Sequence, residues 1–286
     1  MKKFIFAILI CSWLVADDVC AQKYEAMAVD FSTYSGSSMF SESGAIRLAI
    51  PIVRKGSSRL LLSPEYKFFN TKNREDIPAN YYDRFSLRLA WQYRVSDGWK
   101  LQWVAMPSFS SPFNENNDIL FNTIFRANYS VSGFTYSLGI AYSYRYRNNI
   151  LTPVAGVVWK PAEKWTLSAK VPLNFRVIHN VKPWWDLGME LSGGGISSLS
   201  ENESFDFLWI HERNLFINSD FKLYKNWWLS CSAGYAFKRT LKTYELPESS
   251  VWTLKVNIGE PGLTPVDVYT ETGFIARAGI KFKLGR

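Results

Sequence analysis

The dominant pattern along the chain has a period of two. From Arg84 to Val95, Phe85, Leu87, Leu89, Trp91, Tyr93 and Val95 alternate with Arg84, Ser86, Arg88, Ala90, Gln92 and Arg94. On a helix those arginines would scatter around the circumference. On a strand all the apolar side chains fall on one face and all the arginines on the other. The pattern recurs at Ile46–Ile52, Trp165–Val171, Trp185–Leu191 and Phe274–Leu284, where Arg277, Lys281 and Lys283 interleave with Phe274, Ala276, Ala278, Ile280 and Phe282. The chain therefore reads as all-β, built from half-apolar strands.

Turn residues punctuate these runs. Short connections fall at Lys55–Arg59, Ser96–Gly98, Val131–Gly133, Lys160–Lys164, Asn180–Pro183 and Lys225–Asn226, and longer ones at Ser35–Ser43, Asn70–Tyr81, Ser110–Asp118, Gly195–Glu212 and Arg239–Thr270. The two kinds largely alternate, as in antiparallel transmembrane β-barrels, which have tight periplasmic turns and longer outer loops. An even number of crossings is needed between Trp165 and Arg213. A short descending strand around Leu173–His179, with Pro172 at an outer turn, gives about 14 strands; without that pair the count is 12. Trp99, Phe134, Trp165, Trp184 and Trp227 each follow directly on a short turn. They would form one belt at a membrane interface, where a largely apolar ring sits in lipid and its polar edge reaches water.

Composition agrees with this picture. The 286 residues include 12 Trp, 15 Tyr and 20 Phe. Beyond the first residues no apolar run approaches the roughly 20 residues of a spanning helix. Met1-Lys2-Lys3, the apolar stretch Phe4–Val15 and the small residues Val19 and Ala21 form a signal peptide, residues 1–21, with cleavage before Gln22. This leaves a barrel domain at 22–286, exported through the inner membrane to a Gram-negative outer membrane. Cysteines 11 and 20 leave with the signal peptide, so Cys231 has no intramolecular disulfide partner. The net charge of +8 comes from cations dispersed along the chain, which gives no support to nucleic-acid binding.

Several hairpins carry a family resemblance. They are Leu151-Thr152-Pro153-Val154-Ala155-Gly156-Val157-Val158-Trp159-Lys160-Pro161 with Glu163–Leu167, Asn226-Trp227-Trp228-Leu229 with Ala233–Phe237, and Ala276–Phe282. In these the chain resembles an uncharacterised outer-membrane β-barrel family of Gram-negative bacteria, a domain of unknown function. The resemblance covers most of the chain after residue 21. It implies a barrel and a location and carries no assigned chemistry. The chain departs from many such barrels at its end, where Lys283-Leu284-Gly285-Arg286 follows Phe282 in place of a terminal aromatic residue.

Candidate chemistry is sparse. His179 and His211 are the two histidines, and neither has a partner at metal-ligand spacing, so no metal and no cofactor is expected. A Ser–His lipid hydrolase would need one of these imidazoles, with Ser204 near His211 in sequence. Asn114–Asp118 lacks the spaced acids and glycine of a calcium loop, Asn128-Tyr129-Ser130 and Asn202-Glu203-Ser204 match the glycosylation triplet, and Gly193–Gly195 reads as a flexible strand end. Strand alternation supplies the main functional handle. It puts Arg47, Lys67, Arg84, Arg88, Arg126, Lys170, Lys222, Arg277 and Lys281 on the lumen face, with Asp30, Glu65, Asp186, Glu190 and Asp220. Lipid exposure of such charges would cost about 2–4 kcal/mol each for Arg or Lys at the midplane. The same interior fits a water-filled path favouring anions or a salt-bridged plug. The leading expectation is a non-enzymatic, porin-like channel or transporter for small solutes. The alternatives are a structural barrel presenting its outer loops to a partner and, behind it, the hydrolase. Outer-membrane lipid and the barrel-assembly machinery are the expected partners, and the sequence does not set an oligomeric state.

Overall fold

The computed structural model describes residues 24–73, 80–111, 119–171, 174–199, 206–247, 250–254 and 263–284. The expected signal peptide at residues 1–21, Pro172, Ser204 and the segment Asn114–Asp118 lie outside them. Among the described residues every regular element is a strand. In chain order these are β1 (Tyr24–Gly36), β2 (Met39–Leu48), β3 (Ile50–Lys55), β4 (Ser58–Asn73), β5 (Asn80–Arg94), β6 (Trp99–Ser110), β7 (Leu120–Val131) and β8 (Phe134–Arg145). They continue as β9 (Asn148–Ala162), β10 (Trp165–Val171), β11 (Asn174–Lys182), β12 (Trp185–Leu199), β13 (Phe207–Tyr224), β14 (Trp227–Tyr244), β15 (Val251–Leu254) and β16 (Val268–Leu284).

Fourteen crossings close into one antiparallel barrel. β2 and β3 are halves of a single crossing interrupted at Ala49, and both pair with β4. β15 is a short parallel addition along the start of β9. The remaining strands pair in sequence, and β1 pairs with β16 to close the ring. Closure leaves few backbone groups unpaired, the condition for crossing a bilayer with strands. Left-handed residues make the tight reversals. Ser132 and Gly133 (φ 45° and 81°) join β7 to β8, and Tyr146 and Arg147 (φ 47° and 60°) join β8 to β9. Two positive-φ residues in succession give a turn whose twist matches that of the flanking strands.

Four expected loops prove shorter than their sequence suggests, among them Asn70–Tyr81, where β4 runs to Asn73 and β5 begins at Asn80. Ser35–Ser43 is a hairpin paired out to Ser35 opposite Phe40. Its turn is held by the Glu271 carboxylate, which accepts from the backbone N–H groups of Ser38 (3.0 Å) and Met39 (3.2 Å). Within Gly195–Glu212, β12 runs on to Leu199 and β13 begins at Phe207; within Arg239–Thr270, β14 continues to Tyr244 and β16 begins at Val268. Period two fades in the last two regions because both faces of the strands are covered. Phe207 to His211 are five consecutive buried residues with no alternation.

The core occupies this end of the barrel, inside the mouth. One face of the extended β12–β14 ribbon presents Leu208, Ile210 and Leu241 to Tyr34, Met39, Phe69 and Tyr82 on β1, β2, β4 and β5. The other face presents Phe207, Trp209 and Tyr244 to Leu120, Tyr146 and Ile150 at the ends of β7 to β9. The ribbon thus lies between opposite walls as a slab. Room for its tilt comes from the short β10–β11 hairpin. β11 pairs with β12 only up to Ser192, so the stretch Gly193–Leu199 has β13 as its strand partner on one side alone.

Candidate functional site: the barrel interior

Register determines which side chains share the inner face. Residues directly opposite in neighbouring strands point the same way. Glu65 pairs with Arg47 and Ser86, and Lys67 pairs with Arg84. Gln102 stands between Gln92 and Arg126, Lys170 stands opposite Asn174, and Arg176 opposite Glu190. Asp186 stands opposite Asp220, Trp228 between Lys222 and Lys281, and Arg277 between Ser232 and Ser32. All fourteen charged positions assigned to the lumen by sequence, Asp30 and Arg88 included, therefore lie on one continuous face. It is the inner face, because Tyr34, Phe69, Tyr82, Ile210 and Ile275, on the same rows, meet across the barrel. The opposite face carries Phe31, Phe85, Phe125, Leu138, Ile217 and Phe274, all exposed, with Leu138 at 71% and Phe274 at 72%.

The inner charges divide between two walls. On the wall made by β1, β2, β4, β11–β13 and β16 every assigned carboxylate has a cation within 4 Å, while Lys67, Lys222 and Arg277 have no carboxylate that close among the described residues. Arg47 donates to Asp30 (2.5 Å) and lies 3.7 Å from Glu65. Arg176 reaches Glu190 at 3.7 Å. Asp220 accepts from Lys281 (3.3 Å) and Lys283 (3.0 Å), and Lys283 also approaches Asp186 at 3.9 Å and the Trp228 ring at 4.2 Å. The wall of β5–β7 and β10 carries Arg88, Arg126 and Lys170 with no carboxylate within 4 Å among the described residues. Arg126 donates instead to the neutral Gln102 (2.6 Å). Gly139, opposite Arg126 on β8, makes room for it, since a Cβ there would stand 2.7 Å from Arg126 and 2.1 Å from the Phe125 carbonyl.

Above these walls the slab is pinned by a buried arginine that the sequence reading placed in a loop. Register shifts between Arg213 and Asn214 and between Ala236 and Arg239 reverse the alternation of β14. Bulges re-aim side chains in this way. By simple parity Arg239 would point outward with Tyr235 and Phe237. It points inward instead, is 0% exposed, stacks 3.9 Å from the Tyr34 ring and ion-pairs with Glu212 at 3.4 Å. Two arginines of the far wall complete the clasp. Arg84 donates to the Ser197 carbonyl of β12, and Arg145 lies 5.2 Å from the Trp209 ring. Lower down, Arg277 stacks 3.8 Å from Phe216, whose ring lies in the space left by Gly234. Alternation across a bulge is the signal that parity missed. Glu212 was missed because it was read as the end of a loop; Arg176 and Lys283 lie on strands that the sequence reading drew, Lys283 on the same alternating row as Arg277 and Lys281, but were not carried into the lumen set.

The turn-adjacent aromatics lie at one end. Trp99 faces Tyr129 at 4.9 Å, Phe134 stacks on Trp159 at 5.5 Å, Trp165 on His179 at 4.2 Å, Trp184 on Trp185 at 6.2 Å, and Trp227 meets Phe282 at 5.0 Å. The four on strands stand on the outer face. His179 is therefore an outward-facing stacking partner near the tight turns, whereas His211 is buried in the slab at the other end. The fold keeps the two imidazoles at opposite ends. No group of three or more His, Cys, Asp or Glu with metal-binding geometry occurs among the described residues.

The interior and exterior together are those of a membrane-spanning β-barrel. The chain belongs to the family described as a domain of unknown function, DUF6268, whose model matches residues 67–283. No curated protein sequence matches the chain. Among solved structures it is similar to the KdgM porin, with 10% identity, TM-score 0.40, and 90% of this chain and 99% of that one covered. It is also similar to the COG4313 outer membrane channel from Pseudomonas putida F1, with 10% identity, TM-score 0.45 and coverage of 93% and 98%. A third similar structure is outer membrane phospholipase A from Escherichia coli, with 9% identity, TM-score 0.40 and coverage of 94% and 95%. None of these likenesses assigns an activity to this chain.

Proposed function

We propose that this barrel resides in a bacterial outer membrane and conducts small anions, with the β12–β14 slab closing its outer mouth. The observation that carries the reading is the imbalance between the two inner walls. Carboxylates on one wall are matched by cations, while Arg88, Arg126 and Lys170 on the other face the lumen without acidic partners. A surplus of fixed positive charge in a confined aqueous space concentrates anions and excludes cations. In this reading the tight turns and the belt of Trp99, Phe134, Trp165, Trp184 and Trp227 lie at the periplasmic interface. Lipid and the assembly machinery are then the obligatory partners, and residues 1–21 are removed on export.

The slab makes gating part of the proposal. Tyr34, Phe69, Ile210 and Leu241 pack into one buried cluster across that layer, so in this reading conduction requires the slab to move. Planar-bilayer recording of the full-length protein tests this. The expected result is a low resting conductance with infrequent openings whose reversal potential in a salt gradient lies toward that of the anion. Cation-selective openings would refute the anion reading. Silence under all voltages, together with silence after the slab is loosened, would refute conduction altogether. The loop-presenting reading draws on the same closed mouth, and that second outcome would favour it.

A further inference from the structure

We infer that the tight-turn end of the lumen contains a binding site for a soluble, multiply charged oxyanion of the phosphate type, formed by Arg54, Arg59, Arg94 and Lys100 around the Gly56–Ser57 turn. These four cations and Gln92 line one cleft of about 150 Å³, room for several waters or a small oxyanion. Register places Arg54 directly opposite Arg59, and Arg94 directly opposite Lys100. Ser57 accepts from the Arg94 backbone N–H at 2.9 Å, which brings the two pairs to either side of the turn. Like charges directly opposite on adjacent strands are destabilising, and here two such pairs occur side by side. Among the described residues no carboxylate lines the cleft; Asp97, the acid of the neighbouring turn, is not among its walls. A multivalent anion would relieve that repulsion. Guanidinium groups from several strands suit it because each offers a planar pair of donors to a tetrahedral oxyanion.

The direction of the cleft selects the source of the anion. Arg59 and Gln92 share a row with Gln102 and Arg126 on the inner face, so the site opens to the lumen rather than to lipid headgroups outside the barrel. It also lies at the foot of the cationic wall formed by Arg88, Arg126 and Lys170. The site deepens the anion-channel reading by adding a ligand class, a phosphorylated or similarly multivalent solute. Its occupancy, however, is a binding event that requires no open mouth.

Titration calorimetry on the full-length protein in neutral detergent tests the site, with pyrophosphate as the probe. Chloride at matched ionic strength and vesicles of phosphatidylglycerol serve as the competing sources. Saturable pyrophosphate binding is expected, weakened at least tenfold in Arg59→Gln/Arg94→Gln and partly retained in Arg59→Lys/Arg94→Lys. Lys160→Gln, which removes a charge at the same end but outside the cleft, should leave the affinity unchanged. Heat-modifiable gel migration of each variant establishes that the barrel has closed. Equal loss in Lys160→Gln, full competition by chloride, or preferential binding of the vesicles would overturn the proposal. Conductance is read separately, so a silent protein that still binds pyrophosphate would fail as a channel and keep the site.

Discussion

The two ends of this barrel solve the problem of a filled interior in opposite ways. Toward the longer connections the lumen is packed as a protein core is packed, with Tyr34, Phe69, Tyr82 and Ile210 in one cluster, Phe207 in a second behind it, and Arg239 buried against Tyr34 and Phe69. Toward the tight turns the lumen is lined by charges, some paired and some not, and many remain partly exposed. The difference follows from what covers each strand. A strand with lipid on one side and lumen on the other keeps its alternation. A strand drawn into the mouth has protein on both sides and loses it. In the proposed reading, closure belongs to one end and selectivity to the other.

Removing the charge partner of the buried arginine should break that division most strongly. Glu212→Gln leaves Arg239 enclosed by Tyr34 and Phe69 without its carboxylate, and breaking a buried pair in this way costs about 3–5 kcal/mol. The slab should loosen, seen as frequent long openings in bilayer recordings and as protease cleavage between residues 199 and 207. The double change Glu212→Leu/Arg239→Met should keep the mouth closed, because an apolar replacement of both partners is close to neutral. If the double variant opens as readily as the single one, the ion pair is not what holds the slab.

The next test bears on the wall itself. Leu138 and Ser137 are neighbours on β8 with opposite directions, Leu138 outward and 71% exposed, Ser137 inward with its hydroxyl donating to Asn128 at 2.7 Å. Leu138→Arg should cost about 2–4 kcal/mol in denaturant unfolding from lipid vesicles, and Ser137→Arg much less. Equal costs would mean that the outer face does not meet hydrocarbon.

These two regions also show what the sequence disclosed. Alternation in β5, β10 and β16 was enough to place Arg84, Arg88, Lys170, Arg277 and Lys281 on one face, because a period of two leaves a residue only two directions. The crossing count followed from the turns. The bulge near Phe237 was not legible, since one extra residue inverts every later assignment on the strand, and Arg239 was lost with it. Nor was the slab, whose residues Phe207–His211 read as a loop because they lack alternation. A segment buried on both faces and a segment exposed on both faces can share that trait, and only contacts with β1, β4, β7 and β9 distinguish them.

Selectivity should change by a smaller amount. Neutralising Arg88, Arg126 and Lys170 to glutamine in the Glu212→Gln background should move the reversal potential in a KCl gradient toward zero, a several-fold fall in the anion-to-cation permeability ratio, with the openings themselves preserved. The charge surplus of that wall disappears while the paired wall stays intact. An unchanged ratio would shift the origin of any anion preference to the tight-turn end lined by Arg54, Arg59, Arg94 and Lys100, and the same recording on Arg59→Gln/Arg94→Gln decides between the two places.

The smallest effect is expected on the paired wall, and its smallness is informative. Arg47 and Asp30 make a short contact, yet their side chains are 46% and 30% exposed to the lumen. In a water-filled lumen solvent screens the pair, and a side chain must give up rotamer freedom to hold it, so exposed ion pairs contribute about 0.2–1 kcal/mol. A double-mutant cycle of Asp30→Asn and Arg47→Gln, followed by unfolding from vesicles, should return a coupling in that range. A coupling near the 3–5 kcal/mol expected for a buried pair would mean that this half of the lumen is as dry as the slab. The barrel would then be a solid plug from end to end, and the unpartnered cations opposite would have no water to act through.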